Sequence, residues 1–215
     1  MKPNKQHLLT ILILLLTSSL LFSTGHGASV LKTTMDEMLT ESEFVFEGRV
    51  LSVESRQTDS KRIHTFVTFE IQEIIKGEYP EPTITLRFLG GTVGNLTMAV
   101  SDIQIPRDGE RGVYFVESLD RNQVHPLYGW SQGHFTVTAD DTGTDRMMTA
   151  KNQPVTGLSL DAESVQQTNG RTTVKALSTG TATGVRVEQN RKNAKGLPLN
   201  EFKQALRKRL NEINQ

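Results

Sequence analysis

Period-two alternation over two long neighbouring stretches constrains this chain more than any other feature. In residues 44–54, Phe44, Phe46 and Val50 are apolar toward one side and Val45, Leu51 and Val53 toward the other, with Glu47 and Arg49 intruding. That is a long strand with both faces partly covered. Gly48, in mid-strand, marks a bulge or a tight bend of the kind that lets a sheet curl. The polar stretch 56–62 reads as a hairpin loop. Residues 64–75 then alternate again, with Val67, Phe69, Ile71 and Ile75 on one face and Thr68, Glu70 and Gln72 on the other. This strand stops at Lys76-Gly77, and Pro80 and Pro82 prevent immediate continuation.

Shorter candidate strands follow at 83–89, 97–100, 112–117 and 133–138, separated by Gly90-Gly91, by Pro106-Arg107-Asp108-Gly109 and by the 120–126 region. Short strands joined by glycine and proline turns predict a small barrel or sandwich. Ahead of them, Met35 to Leu39 predict a short helix capped by Thr33 or Thr34. After Phe135 the composition loosens. Residues 140–153 read as a polar loop, and 155–193, rich in Thr, Gly, Gln, Asn and Ser, as an extended arm with short strands at 172–174 and 185–187. Leu199, Phe202, Leu206, Leu210 and Ile213 recur at helical spacing after Pro198, so a terminal amphipathic helix is expected, its stripe docked on the barrel and Lys203, Arg207 and Lys208 on its wet face.

The amino terminus carries Lys2 and Lys5, the apolar run from Leu8 to Leu16, and small residues at Ser23, Thr24, Gly25, Gly27 and Ala28. This order reads as a cleavable secretory signal. The apolar run is too short to span a membrane, which takes about 20 residues. The chain has no cysteine, so a lipid anchor on cysteine is excluded. Export without disulfides favours a bacterial envelope protein, since small exported animal domains lean on such bridges. The expected organisation is a leader at 1–28, a β-barrel domain at 29–150, a polar, partly flexible arm at 151–196 and a terminal helix at 197–215. With 24 basic and 24 acidic residues overall, no global field draws the chain toward nucleic acid.

The segment from Glu43 to Val50, the strand ending Ile75-Lys76-Gly77, and Val113-Tyr114-Phe115-Val116 resemble the netrin-like OB-fold module of tissue inhibitors of metalloproteases. They resemble more closely a set of uncharacterised exported bacterial proteins with a Gly-Gly-x-Val-Gly turn, here Gly90 to Gly94, and a Ser-Gln-Gly strand entry, here Ser131 to Gly133. The likeness covers about residues 42–137. It implies a mainly β, OB-like barrel and, by extension, a protein partner, with a protease first among those to test. Those inhibitors share an amino-terminal cysteine that chelates the protease zinc. This chain has none, so that mode of capture does not carry over.

No residue pattern here demands chemistry. His64, His125 and His134 lack the i, i+4 spacing of a helical metal pair, and neither metal nor cofactor is expected. Gly129-Trp130-Ser131-Gln132-Gly133, with His134 nearby, imitates a nucleophile elbow. The elbow, however, needs a strand before its serine and a helix after it, and here a second strand follows. Asp140, Asp141 and Asp145 crowd one loop but lack the alternating series and closing glutamate of a calcium loop. Among the aromatic residues, Tyr128 and Trp130 are expected to be partly exposed, and with Gln132 and His134 they form the candidate binding set. The reading is a non-enzymatic exported binding module, periplasmic or extracellular. A serine hydrolase using Ser131 and His134, or a surface-matrix component with the arm as a spacer, are the alternatives.

Overall fold

A computed structural model describes residues 30–58, 62–159, 177–188 and 195–215. The leader expected at 1–28, the short strand expected at 172–174 and much of the expected arm lie outside the described residues.

The chain enters through helix α1 (Met35–Glu41). Thr34 caps it with its hydroxyl on the Glu37 amide, and the Glu37 carboxylate reaches back to the Thr34 amide, closing a capping box. Strands β1 (Phe44–Gln57), β2 (Ile63–Lys76) and β3 (Thr83–Leu89) form an antiparallel meander. A small hairpin of β4 (Gly91–Val93) and β5 (Leu96–Met98) stands apart. Strand β6 (Arg111–Val116) returns beside β1, and β7 (His134–Ala139) and β8 (Asp145–Thr149) extend the sheet. The order is therefore β3-β2-β1-β6-β7-β8. Its first four members follow the Greek-key order, the fourth strand returning to the side of the first.

The expected barrel does not close. The outer strands β3 and β8 are not paired, and the sheet is open among the described residues. The outer side of β8 is instead met by Pro154 and Pro198, with the Met147 amide donating to the Leu197 carbonyl, so that edge is taken by other chain. Strand β8 itself lies where a polar loop was expected: the polar residues Asp145 and Arg146 masked the alternation that follows. The composition that suggested an arm likewise hid β9 (Val155–Leu158), which pairs with β10 (Val185–Val187). Strand β4 takes up part of the glycine turn expected at 90–94.

Alternation divides β1 and β6 between two cores. Val45, Val113 and Phe115 point to one face, where Phe135, Met147, α1 and the terminal helix α2 (Leu199–Ile213) cover them. Phe44, Phe46, Tyr114 and Val116 point to the other, packed with Phe69, Phe88 and Leu127. Successive strand residues face opposite sides, so one sequence serves both cores. The register of β1 against β2 slips at Glu47/Gly48, the bulge anticipated there. A Cβ on Gly48 would stand 2.8 Å from the Glu70 carbonyl, which excludes any side chain.

Candidate functional site

Two polar latches hold the helices to the sheet. Lys76 at the end of β2 donates from Nζ to the carbonyls of Leu39, Thr40 and Ser42, at 2.6, 2.8 and 2.7 Å. These are carbonyls at the end of α1, where a cation is favoured. The neighbouring Gly77 has φ +82°, and a Cβ there would meet the Glu43 carbonyl at 2.5 Å. The Lys-Gly step is thus a helix cap followed by an obligatory glycine. The second latch involves Glu47, which intruded on an apolar face in sequence. Its carboxylate, 3% exposed, accepts from Lys203 at 2.6 Å and from Arg111 at 2.8 Å. Glu73 pairs with both Lys203 and Arg207, and Asp36 with Arg209. Lys203, expected on the wet face of the helix, is therefore buried. Only Lys208 of the three cations stays fully in water, because the docked face reaches beyond the apolar stripe.

Beyond β6 the chain makes a single 3₁₀ turn, Trp130–Gly133, entered through two consecutive left-handed residues, Gly129 at φ 64° and Trp130 at φ 60°. Glycine tolerates that conformation; a bulky aromatic residue there is an outlier. Gln132 over-determines the turn. Its Oε1 accepts the Thr33 amide and its Nε2 donates to the Leu31 and Gly129 carbonyls, all at 3.0 Å. The side chain thereby ties the 30–34 segment to the turn. Trp130 stacks on His125 at 5.5 Å with 12° between the ring planes.

The four candidate binding residues consequently divide. Tyr128 and Trp130 are partly exposed and line a shallow cleft of about 340 Å³ shared with Val30, Leu31, Lys32 and Glu117. Leu31 and Leu177, bridged to one another, are more than half exposed beside it. Gln132 and His134 are buried. His134 meets Glu110 through Nε2 at 2.7 Å, and the Tyr114 hydroxyl donates to the same carboxylate oxygen at 3.3 Å. Burial, helped by Glu110, pushes the Tyr114 phenol well up. His125, enclosed by Phe88 and Trp130, accepts the Leu127 amide at Nδ1, and burial lowers it to about 3.

The Ser131 hydroxyl is buried, with no hydrogen bond to His134 or to any other group. The left-handed residue of the turn is Trp130 and not the serine. In the 140–145 loop, Asp140 accepts from the Thr142 amide and hydroxyl and the Thr144 amide through Oδ1, and from Arg146 through Oδ2. Those donors hold its pKa far below the usual carboxylate range. Asp145 pairs with Arg111. Two of the loop's three carboxylates are thus held by arginines. Among the described residues no cluster of three His, Cys, Asp or Glu is placed to hold a metal, and no helix is long and apolar enough to cross a membrane.

The pairing of Glu110 with His134, and the gathering of Arg49, Arg107 and Arg111 around one cavity, had no signal in the sequence. They come from β1, a loop, β6 and β7, and only strand register joins them. Comparison with protein-family models, with curated proteins and with solved structures finds no match to this chain. The class that the fold itself defines is a mainly β module with a Greek-key sheet and two docked helices.

Proposed function

We propose that this chain is a non-enzymatic binding module of OB-like, netrin-like kind, exported to the periplasm or beyond, and that it engages a protein partner through the Tyr128–Trp130 face. The observation that carries this reading is the left-handed Trp130, partly exposed to solvent. A bulky residue in this conformation costs about 1–3 kcal/mol, and such strain concentrates at ligand-binding sites. The three Gln132 bonds hold it in place, and the exposed Leu31 and Leu177 extend an apolar surface beside it. Aromatic anchors of this type dominate protein interfaces. Support for the OB-like part of the reading lies in the Greek-key order β3-β2-β1-β6, and support for export in the charged, apolar and small-residue order of residues 1–28.

The test is affinity capture with the exported chain against envelope and culture-medium fractions of its source. A partner retained by the native chain, a protease being the first to look for, is expected to be lost when Tyr128 and Trp130 are replaced by Ala. Capture indifferent to both replacements, or no partner in either fraction, overturns the reading.

A further inference from the structure

A second cavity, of about 400 Å³, lies where the start of β6 meets β1 and β7. It shares no lining residue with the Tyr128–Trp130 cleft. Arg49, Gln104, Arg107, Arg111, His134 and Thr136 form much of its wall, with Glu110 and Asp145 among them.

The charges in this wall are not equally occupied. Glu110 holds His134 and Tyr114 through Oε1, and its Oε2 takes the Arg107 amide at 3.4 Å. Asp145 holds Arg111, whose fork is also engaged by Glu47 and Gln72. Both acids are therefore committed to partners within the wall. Arg49 and Arg107 are different. Both are exposed, and neither closes an ion pair with a described residue.

Register sharpens the oddity at Arg49. It stands directly opposite Arg111 on β6, and opposite Glu70 on β2 without forming an ion pair with that carboxylate. Like charges facing each other across an antiparallel pair are destabilising. Arg111 is compensated by Glu47 and Asp145, whereas Arg49 has no carboxylate at its guanidinium among the described residues, an arrangement in which a bound anion would supply the missing partner. His134, in the same wall, also keeps a buried ring nitrogen, Nδ1, without a protein partner.

We propose that this cavity binds a small anion, a molecule bearing a phosphate or carboxylate group. Arg49 and Arg107 grip the charge through their planar forks. Gln104 and Thr136 serve the uncharged polar part of the ligand. A cavity of this size suits a small molecule. The site is independent of the Tyr128–Trp130 face, and either can fail without the other.

The experiment titrates the full chain with inorganic phosphate and, separately, with citrate at constant ionic strength, followed by calorimetry and by melting temperature. At least one anion is expected to bind saturably and to raise the melting temperature. The doubly substituted Arg49→Gln, Arg107→Gln chain is expected to bind about tenfold more weakly or worse. Arg121→Gln, an exposed arginine remote from the cavity wall, should change affinity less than about twofold. Arg49→Gln alone should leave the melting temperature of the free chain nearly unchanged while reducing the gain on adding the anion, and that split separates a ligand role from a structural one. Saturation by phosphate alone assigns the phosphate class, and by citrate alone the carboxylate class. If neither anion saturates, or if the double variant binds as tightly as the native chain, the proposal is overturned.

Discussion

Two regions of the molecule are built to different standards. At the seam between helices and sheet the buried charges are matched: Glu47 lies between Lys203 and Arg111, Glu73 between Lys203 and Arg207, and Asp36 against Arg209. Between Gln123 and His134, four buried polar atoms lack a hydrogen-bond partner among the described residues: Gln123 Oε1, His125 Nε2, Ser131 Oγ and His134 Nδ1. Satisfied buried polar groups are the rule, and exceptions ask for an explanation. Among the described residues there are six, and these four fall within a dozen residues of sequence that include the strained Trp130; the other two are Ser42 Oγ and Asp102 Oδ2. The helix seam serves stability, while the left-handed Trp130 and the unmatched groups near it mark the segment where a binding surface is proposed.

The largest way to break this comparison is Phe202→Ala. Phe202 is fully buried against Phe135, and its truncation should cost about 3–5 kcal/mol, read by denaturant unfolding. A loss below about 1 kcal/mol would mean that the helix does not share the core. Next comes Lys203→Met, which unpairs Glu47 from the helix but leaves it Arg111. A loss of about 2–3 kcal/mol is expected, whereas Lys208→Ala, on the wet side, should stay within about 0.5 kcal/mol. Equal effects of the two lysines would remove the latch.

The smallest effect is acid sensitivity from the aromatic side. His125 is held at about 3 by burial, while the unfolded chain takes up its proton near the ordinary histidine value of about 6.5. The unfolded state therefore binds more protons as pH falls below that value, so His125 lowers stability progressively, by at most about 1.4 kcal/mol per pH unit. His64 is also lowered, by burial first and then by Arg87 and Arg62, and it adds in the same direction. Between pH 6.5 and about 5.5, above the range where ordinary carboxylates titrate, His125→Phe should flatten the slope of unfolding free energy against pH. An unchanged slope would place the acid-sensitive groups elsewhere.

Much of the fold was legible in local pattern. Phe44 to Val50, Val67 to Ile75 and Thr83 to Leu89 declare their strands because each alternates against a buried face, and the Leu199 to Ile213 stripe declares its helix. Strand β8 and strand β9 were not legible, since short strands at a sheet's margin carry too few apolar positions for a period to emerge. Of the candidate site, Tyr128 and Trp130 were readable as partly exposed aromatics set among Pro126 and Gly129. Gln132 gave no sign that its amide would fasten the 30–34 segment, a partnership spanning about a hundred residues.

By itself, then, the sequence determined the strands that alternate, the helix that ends the chain, the bulge at Gly48 and the absence of disulfides, because each follows from residue type and nearest-neighbour geometry. Tertiary structure alone decided that the sheet stays open, that Lys203 is buried rather than wet, and that Arg49 faces Arg111 beside a cavity. Those outcomes depend on which strands become neighbours and in what register, and register is fixed by the packing of both cores at once.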